Sequence, residues 1–111
     1  MADVEHRPLE NRYVLLDEDA EIGEEQYVDH EGDRVLFHTA VSPDYAGQGL
    51  ASVLVRGAVD DAIASGLGIV PVCPYVKAWL PKHPEYAEHV VEPAPAHLRA
   101  VAQHTRQNAG G

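Results

Sequence analysis

The sequence predicts an α+β domain, α/β-like at its end: a single mixed, mostly antiparallel sheet with a right-handed βαβ crossover. Three observations lead there. Three short strand-like segments precede any stretch of helical period, as in a meander. One clear helical pattern then separates two strand-like segments, and such a crossover joins parallel strands, right-handedly in nearly all cases. The length, 111 residues with 45% hydrophobic content, fits one domain around one core.

The elements follow in order. Residues 11–16, Asn-Arg-Tyr-Val-Leu-Leu, read as a first strand. Residues 20–28 alternate loosely and read as a second strand, facing solvent. Glu31-Gly32-Asp33 supplies a hairpin turn. Residues 34–41, Arg-Val-Leu-Phe-His-Thr-Ala-Val, are apolar on both faces, which predicts a strand inside the sheet. Ser42-Pro43 ends it. From Gln48 to Ser65 the period lengthens: Ala51, Leu54, Val55, Ala58 and Ala62 form one apolar face, and Gly66 is a C-terminal stop. Residues 68–72 read as a short buried strand whose Pro71 lacks a ladder donor. Cys73-Pro74-Tyr75 turns into a helix over about 75–82, and 85–91 form a last turn or two. From Glu92 the composition shifts to Pro, Ala and Gln. The expected division is a domain over 1–92 and a loosely ordered C-terminal tail over 93–111, in which 96–107 have a weak amphipathic pattern.

Charge and composition narrow the function. The net charge of −10 repels phosphate backbones, so a nucleic-acid partner is not expected. Nine of the 18 carboxylates fall between Asp17 and Asp33. They are either a solvated edge or a field that draws in a cation. No apolar run approaches the roughly 18–20 residues of a membrane span, Met1 to Glu10 lack a signal-peptide pattern, and the one cysteine excludes an internal disulfide. A cytoplasmic protein without a membrane partner is expected. The seven histidines show no metal-ligand spacing, so no metal is expected.

One stretch carries chemistry: Ser42-Pro-Asp-Tyr-Ala-Gly-Gln-Gly-Leu-Ala-Ser52. Gly47 and Gly49 sit between a buried strand and the start of a long helix. The first turn of a helix presents unpaired N–H groups and about half a positive charge. Glycines there let an anion approach without meeting a β-carbon. The pattern is not a Walker loop, which needs Gly-Lys-Ser/Thr, nor a dinucleotide fingerprint, since Ser52 stands where a third glycine belongs. A merely tight turn remains the alternative.

Val41-x-Pro43 followed by Gly47-Gln48-Gly49-Leu50-Ala51 and an apolar helix resembles motif A of the GNAT superfamily of acyl-CoA-dependent N-acetyltransferases. Ala46 departs from the Arg or Gln usual there. With Phe37-His38-Thr39, Val70 to Val76 and His83-Pro84-Glu85-Tyr86, the resemblance covers about residues 9–91 and is similar to the small stand-alone YjdJ-type subgroup. It implies a minimal GNAT fold in which strands 34–41 and 68–72 splay apart and admit acetyl-CoA as co-substrate. The diphosphate would then rest on backbone N–H groups of Gly47, Gln48, Gly49, Leu50, Ala51 and Ser52. The acetyl carbonyl would take a backbone N–H near Ala40 or Val41. The acceptor would be a primary amine of unknown identity, which the acidic stretch suggests is cationic.

Two side chains are candidates for catalysis. His38, read as sharing a strand face with Leu36 and Ala40, is either a base for the amine or a packed core histidine. Cys73 precedes Pro74, a favoured first helical residue, and a helix start favours the thiolate. It either carries the acetyl group, lines the thioester pocket, or is a small buried hydrophobe. Trp79 and Tyr86 read as packing residues, and Lys77 and Lys82 as solvated or near the 3′-phosphate of CoA. Three functions follow: an acetyltransferase, a non-catalytic CoA or acyl-CoA binding module, or a structural domain with an empty glycine turn.

Overall fold

The structure is a computed structural model and describes residues 2–109, with side chains through residue 107; Met1 of the expected domain and Gly110-Gly111 of the expected tail lie outside the described residues. Five strands form one sheet in sequence order: β1 (Ala2–Arg7), β2 (Arg12–Asp17), β3 (Ala20–His30), β4 (Asp33–Val41) and β5 (Gly68–Pro71). β1 to β4 are an antiparallel meander, and β5 runs parallel to β4. The crossover is α1 (Leu50–Ala64). After β5 come α2 (Pro74–Trp79), two 3-10 segments at Leu80–Lys82 and Pro84–His89, and α3 (Pro95–Ala109).

The apolar stripe of α1 (Leu54, Val55, Ala58, Val59, Ala62) packs on Tyr13, Leu15, Ile22, Tyr27 and Leu36 of the sheet, and Trp79, Leu80 and Tyr86 close one end. A polar network fixes the helix over the strands. Arg34 donates two bonds to Asp29 (2.7 and 2.8 Å) and one to the Tyr13 hydroxyl (2.6 Å), which donates to Asp61 of α1 at 2.7 Å. The guanidinium lies 4.0 Å from the Tyr27 ring centre. Because each buried polar group is partnered, the network fixes the helix position without an uncompensated charge.

Three elements differ from the sequence expectation. β1 is a strand that the charged opening hides. Its inward apolar side chains, Ala2 and Val4, pack against the core, and a Cβ at Gly57 of α1 would lie 3.0–3.1 Å from Val4. The helix therefore approaches the strand closely, and His6 adds a 2.6 Å hydrogen bond to the Tyr27 hydroxyl. β3 is not simply solvent-facing, since Ile22, Glu25 and Tyr27 are buried. Residues 95–109 are helical rather than a loosely ordered segment, and α3 lies against β3 and β4. Its anchor is polar and so weak in hydropathy. The Ala94 N–H donates to Nδ1 of buried His97 (2.9 Å), so Nε2 carries the proton and donates to Asp33 at 3.0 Å.

Candidate functional site

The site is built where β4 outruns β5. Parallel pairing stops at Leu36 opposite Pro71, yet β4 continues to Val41. Val72 and Cys73 both donate their N–H to the Leu36 carbonyl, at 3.0 and 2.9 Å, and the chain then leaves the sheet into α2. The edge of residues 37–41 that faces β5 is left without a strand partner. This is the divergence expected of strands 34–41 and 68–72, and it brings Ala40, exposed, and Val41, half-buried, to one lip.

At the far end of that lip lies the glycine turn. Gly47 and Gly49 have φ of +83° and +70°, values that glycine alone adopts without strain. A Cβ built at either would meet no atom within 4 Å, so the space over the turn is open. Val53 N–H to Gly49 C=O, at 3.4 Å, is the bond that begins α1. The amides of Leu50, Ala51 and Ser52 precede it and have no intrahelical acceptor. Gln48 is exposed. The Ser52 hydroxyl accepts from Trp79 Nε1 at 2.8 Å, which ties the first turn of α1 to α2. These residues fit a diphosphate: bare amides, positive helix end, open approach.

Cys73 forms the opposite lip. It is buried and caps α2, its carbonyl accepting from Lys77 N–H at 2.9 Å. Its Sγ lies 3.0 Å from Thr39 Oγ1, across the divergence. Thr39 also bonds the carboxyl of Glu25. Glu25 is fully buried, and its Oε2 has no hydrogen-bond partner. Desolvation, above all, pushes its pKa up to about 8; the Thr39 hydroxyl and the His38 backbone N–H pull the other way, and Glu24 adds to the rise.

His38 is not part of this group. Phe37 has no partner in the β3–β4 pairing, where Tyr27 faces Leu36 and Gln26 faces His38. That bulge resets the alternation. Thr39, not His38, shares the face of Leu36, and His38 points to the other side. Its ring is 49% exposed, with Glu24 Oε2 3.9 Å away. Sequence reading missed Thr39 for the same reason, and missed Glu25 because it stands within the acidic stretch. The available signal was the two-residue step from Tyr27 to Glu25 along one face.

Beside the lip, at the ends of β3 and β4, lies an open cleft of about 400 Å³ lined by Arg12, Glu21, Gly23, Glu24, Val41 and Ser42, among others. Arg12 bonds both Glu21 and Glu24, at 3.1 and 3.2 Å, and Arg7 bonds Glu21 as well. These guanidiniums lower the Glu21 pKa. Trp79 stacks on His83 and Tyr86, and the Tyr86 hydroxyl donates to Asp60 at 2.7 Å, so both aromatics are packing residues with satisfied polar ends. Among the described residues no cluster could hold a metal ion, and no helix is long and apolar enough to cross a membrane.

The comparisons agree with this geometry. The solution NMR structure of a GCN5-like candidate N-acetyltransferase from Staphylococcus aureus superposes with a TM-score of 0.64 at 25% identity, covering 86% of this chain and 93% of that one. No curated protein matches the sequence. Residues 12–90 match the GCN5-related N-acetyl-transferase family, and with the diverging strands, the glycine turn and the helix behind it this chain belongs to that family.

Proposed function

We propose that the protein is an acetyl-CoA-dependent N-acetyltransferase of the YjdJ-type subgroup, acting on a primary amine in the cytoplasm. The observation that carries the reading is the parting of β4 and β5, with bare helix amides at one end and a cysteine on the opposite lip. The diphosphate of CoA sits on the backbone of residues 47–52, and a backbone N–H near Ala40 or Val41 holds the acyl oxygen. Cys73 faces the acyl carbon and takes the acetyl group before an amine does.

The energetics favour such a site. Holding two reactants in line contributes on the order of 7–11 kcal/mol. An alkylamine with pKa near 10.4 costs about 4.6 kcal/mol to deprotonate at pH 7, so an acceptor amine needs a base or a water leading to one.

Three measurements test this. Calorimetric titration with CoA gives binding heat; none means the turn is only a turn. Intact-mass analysis after incubation with acetyl-CoA shows one added acetyl group, absent in Cys73→Ala. Equal labelling of that variant removes the cysteine from the path. Binding with no thiol release across a panel of amines leaves the non-catalytic CoA-binding module.

A further inference from the structure

We propose that Glu25, acting through the Thr39 hydroxyl, takes the proton of the Cys73 thiol and later returns it. The inference rests on the acyl-carrying role proposed for Cys73, and it goes beyond that role by naming where the proton goes.

The geometry is a chain of three side chains. Cys73 Sγ is 3.0 Å from Thr39 Oγ1, and Thr39 Oγ1 bonds Glu25 Oε1. A hydroxyl is the group a relay needs, since it donates once while it accepts. A carboxyl here has no structural reason to exist. It is fully buried, one oxygen is orphaned, and no cation is bonded to it. An apolar residue would serve the core better. Buried carboxyls of this kind collect at working sites, and one titrating near neutrality can both accept and donate. Here burial places that transition at about 8.

The step balances. The step runs from the ionised form of Glu25, whose share grows as pH approaches 8: as Sγ attacks the thioester carbon, its proton passes to Thr39 Oγ1, and the hydroxyl proton of Thr39 passes to Glu25 Oε1. The bond from Cys73 Sγ to carbon forms, and the bond from carbon to the CoA sulfur breaks. The proton stored on Glu25 returns through Thr39 to the departing sulfur. Nothing is oxidised or reduced. Glu25 touches neither substrate nor sulfur and is a positioning residue; Thr39 makes the contact.

Few other charges intrude. Tyr13 lies opposite Glu25 on β2, Glu24 is its neighbour on β3, and Cys73 begins α2. The ionisable side chains of α1 are engaged elsewhere: Asp61 with Tyr13 and Arg34, Asp60 and Arg56 with Tyr86.

The single cysteine makes the test clean and independent of CoA. Thiolate absorbance near 240 nm is followed against pH and corrected with Cys73→Ala. In the native protein it rises in two steps, because the first proton lost is shared between carboxyl and thiol. Glu25→Gln and Thr39→Val each give one step, and Thr39→Ser restores two. A one-step curve in the native protein, or two steps in Glu25→Gln, overturns the proposal. Acetyl-enzyme formation should slow on the order of 10²-fold in Glu25→Gln, the lower range for acid–base help, with CoA affinity unchanged. Two-step titration without any acetyl-enzyme keeps the relay and discards the acyl-carrying role. One-step titration with normal acetylation does the reverse.

Discussion

Glu25 shows how much depends on a single side chain. Its folded pKa, about 8, lies above its ordinary value of 4.5, so between those values the folded state holds a proton that the unfolded chain has lost. Stability therefore falls as pH rises from about 4.5 to 8. Integrated, the shift is on the order of 5 kcal/mol. Urea titrations from pH 5 to 9 should show the native midpoint dropping and that of Glu25→Gln staying flatter, so the variant is the more stable protein at pH 9. Parallel pH curves would mean that Glu25 ionises as an exposed residue does. His38 supplies the opposite prediction. Its ring lies on the face away from Thr39 and Cys73, so His38→Ala should leave the rate of acetyl-enzyme formation within about twofold, as a substitution outside the reacting group does. The face on which His38 falls was not legible in sequence. The unpaired Phe37 shifts the face of every later β4 residue by one, and no residue type in Phe37-His38-Thr39 announces a bulge.

At the scale of elements, the first turn of α1 is the piece that sequence pattern disclosed best. Gly47 and Gly49 were read as bare amide positions, and the structure gives both a positive φ with open space above. Gly49→Ala should cost about 1–2 kcal/mol in stability from the left-handed backbone. Its β-carbon also faces the proposed phosphate, so CoA affinity should fall by tenfold or more in calorimetry while the fold persists at 25 °C. Unchanged affinity would place the diphosphate elsewhere. Trp79→Phe keeps an aromatic ring but loses the 2.8 Å bond to Ser52, worth about 1 kcal/mol by itself, and the smaller ring adds a packing loss, so the melting temperature falls. β1, which no pattern announced, and α3, which showed only as a weak amphipathic pattern over 96–107, lie outside the stretch that matches the family, residues 12–90. Each is held by few apolar contacts: β1 by Ala2 and Val4, with Val4 against Gly57, and α3 is anchored by His97 on Asp33. Periodicity registers such elements weakly or not at all, because it counts hydrophobic side chains and not close backbone approach or a buried imidazole.

For the whole molecule, the net charge of −10 overstates the bare field. Much of the acidic stretch is engaged: Glu21 and Glu24 with Arg12, Asp29 with Arg34, Asp33 with His97 and Asp17 with the Tyr45 hydroxyl. Sequence counting saw the carboxylates but not their partners, which come from other elements of the fold. What remains should still steer a cation. For a cationic amine, raising salt from 0.05 to 0.5 M should increase KM several-fold, as screening shortens to a few ångströms. A salt-independent KM would assign the acidic edge to solubility alone. The meander and the crossover were legible from segment order and from one change of period, whereas the parting of the last two strands was an expectation of the family resemblance alone.

A crystal structure grown with acetyl-CoA tests whether the acyl group is transferred at the parting of β4 and β5. The diphosphate is expected on the amides of residues 47–52 and the acyl carbon within van der Waals reach of Cys73 Sγ, on the side of Thr39. Coenzyme bound away from the glycine turn, or an acyl group directed to the face of His38, would contradict this placement.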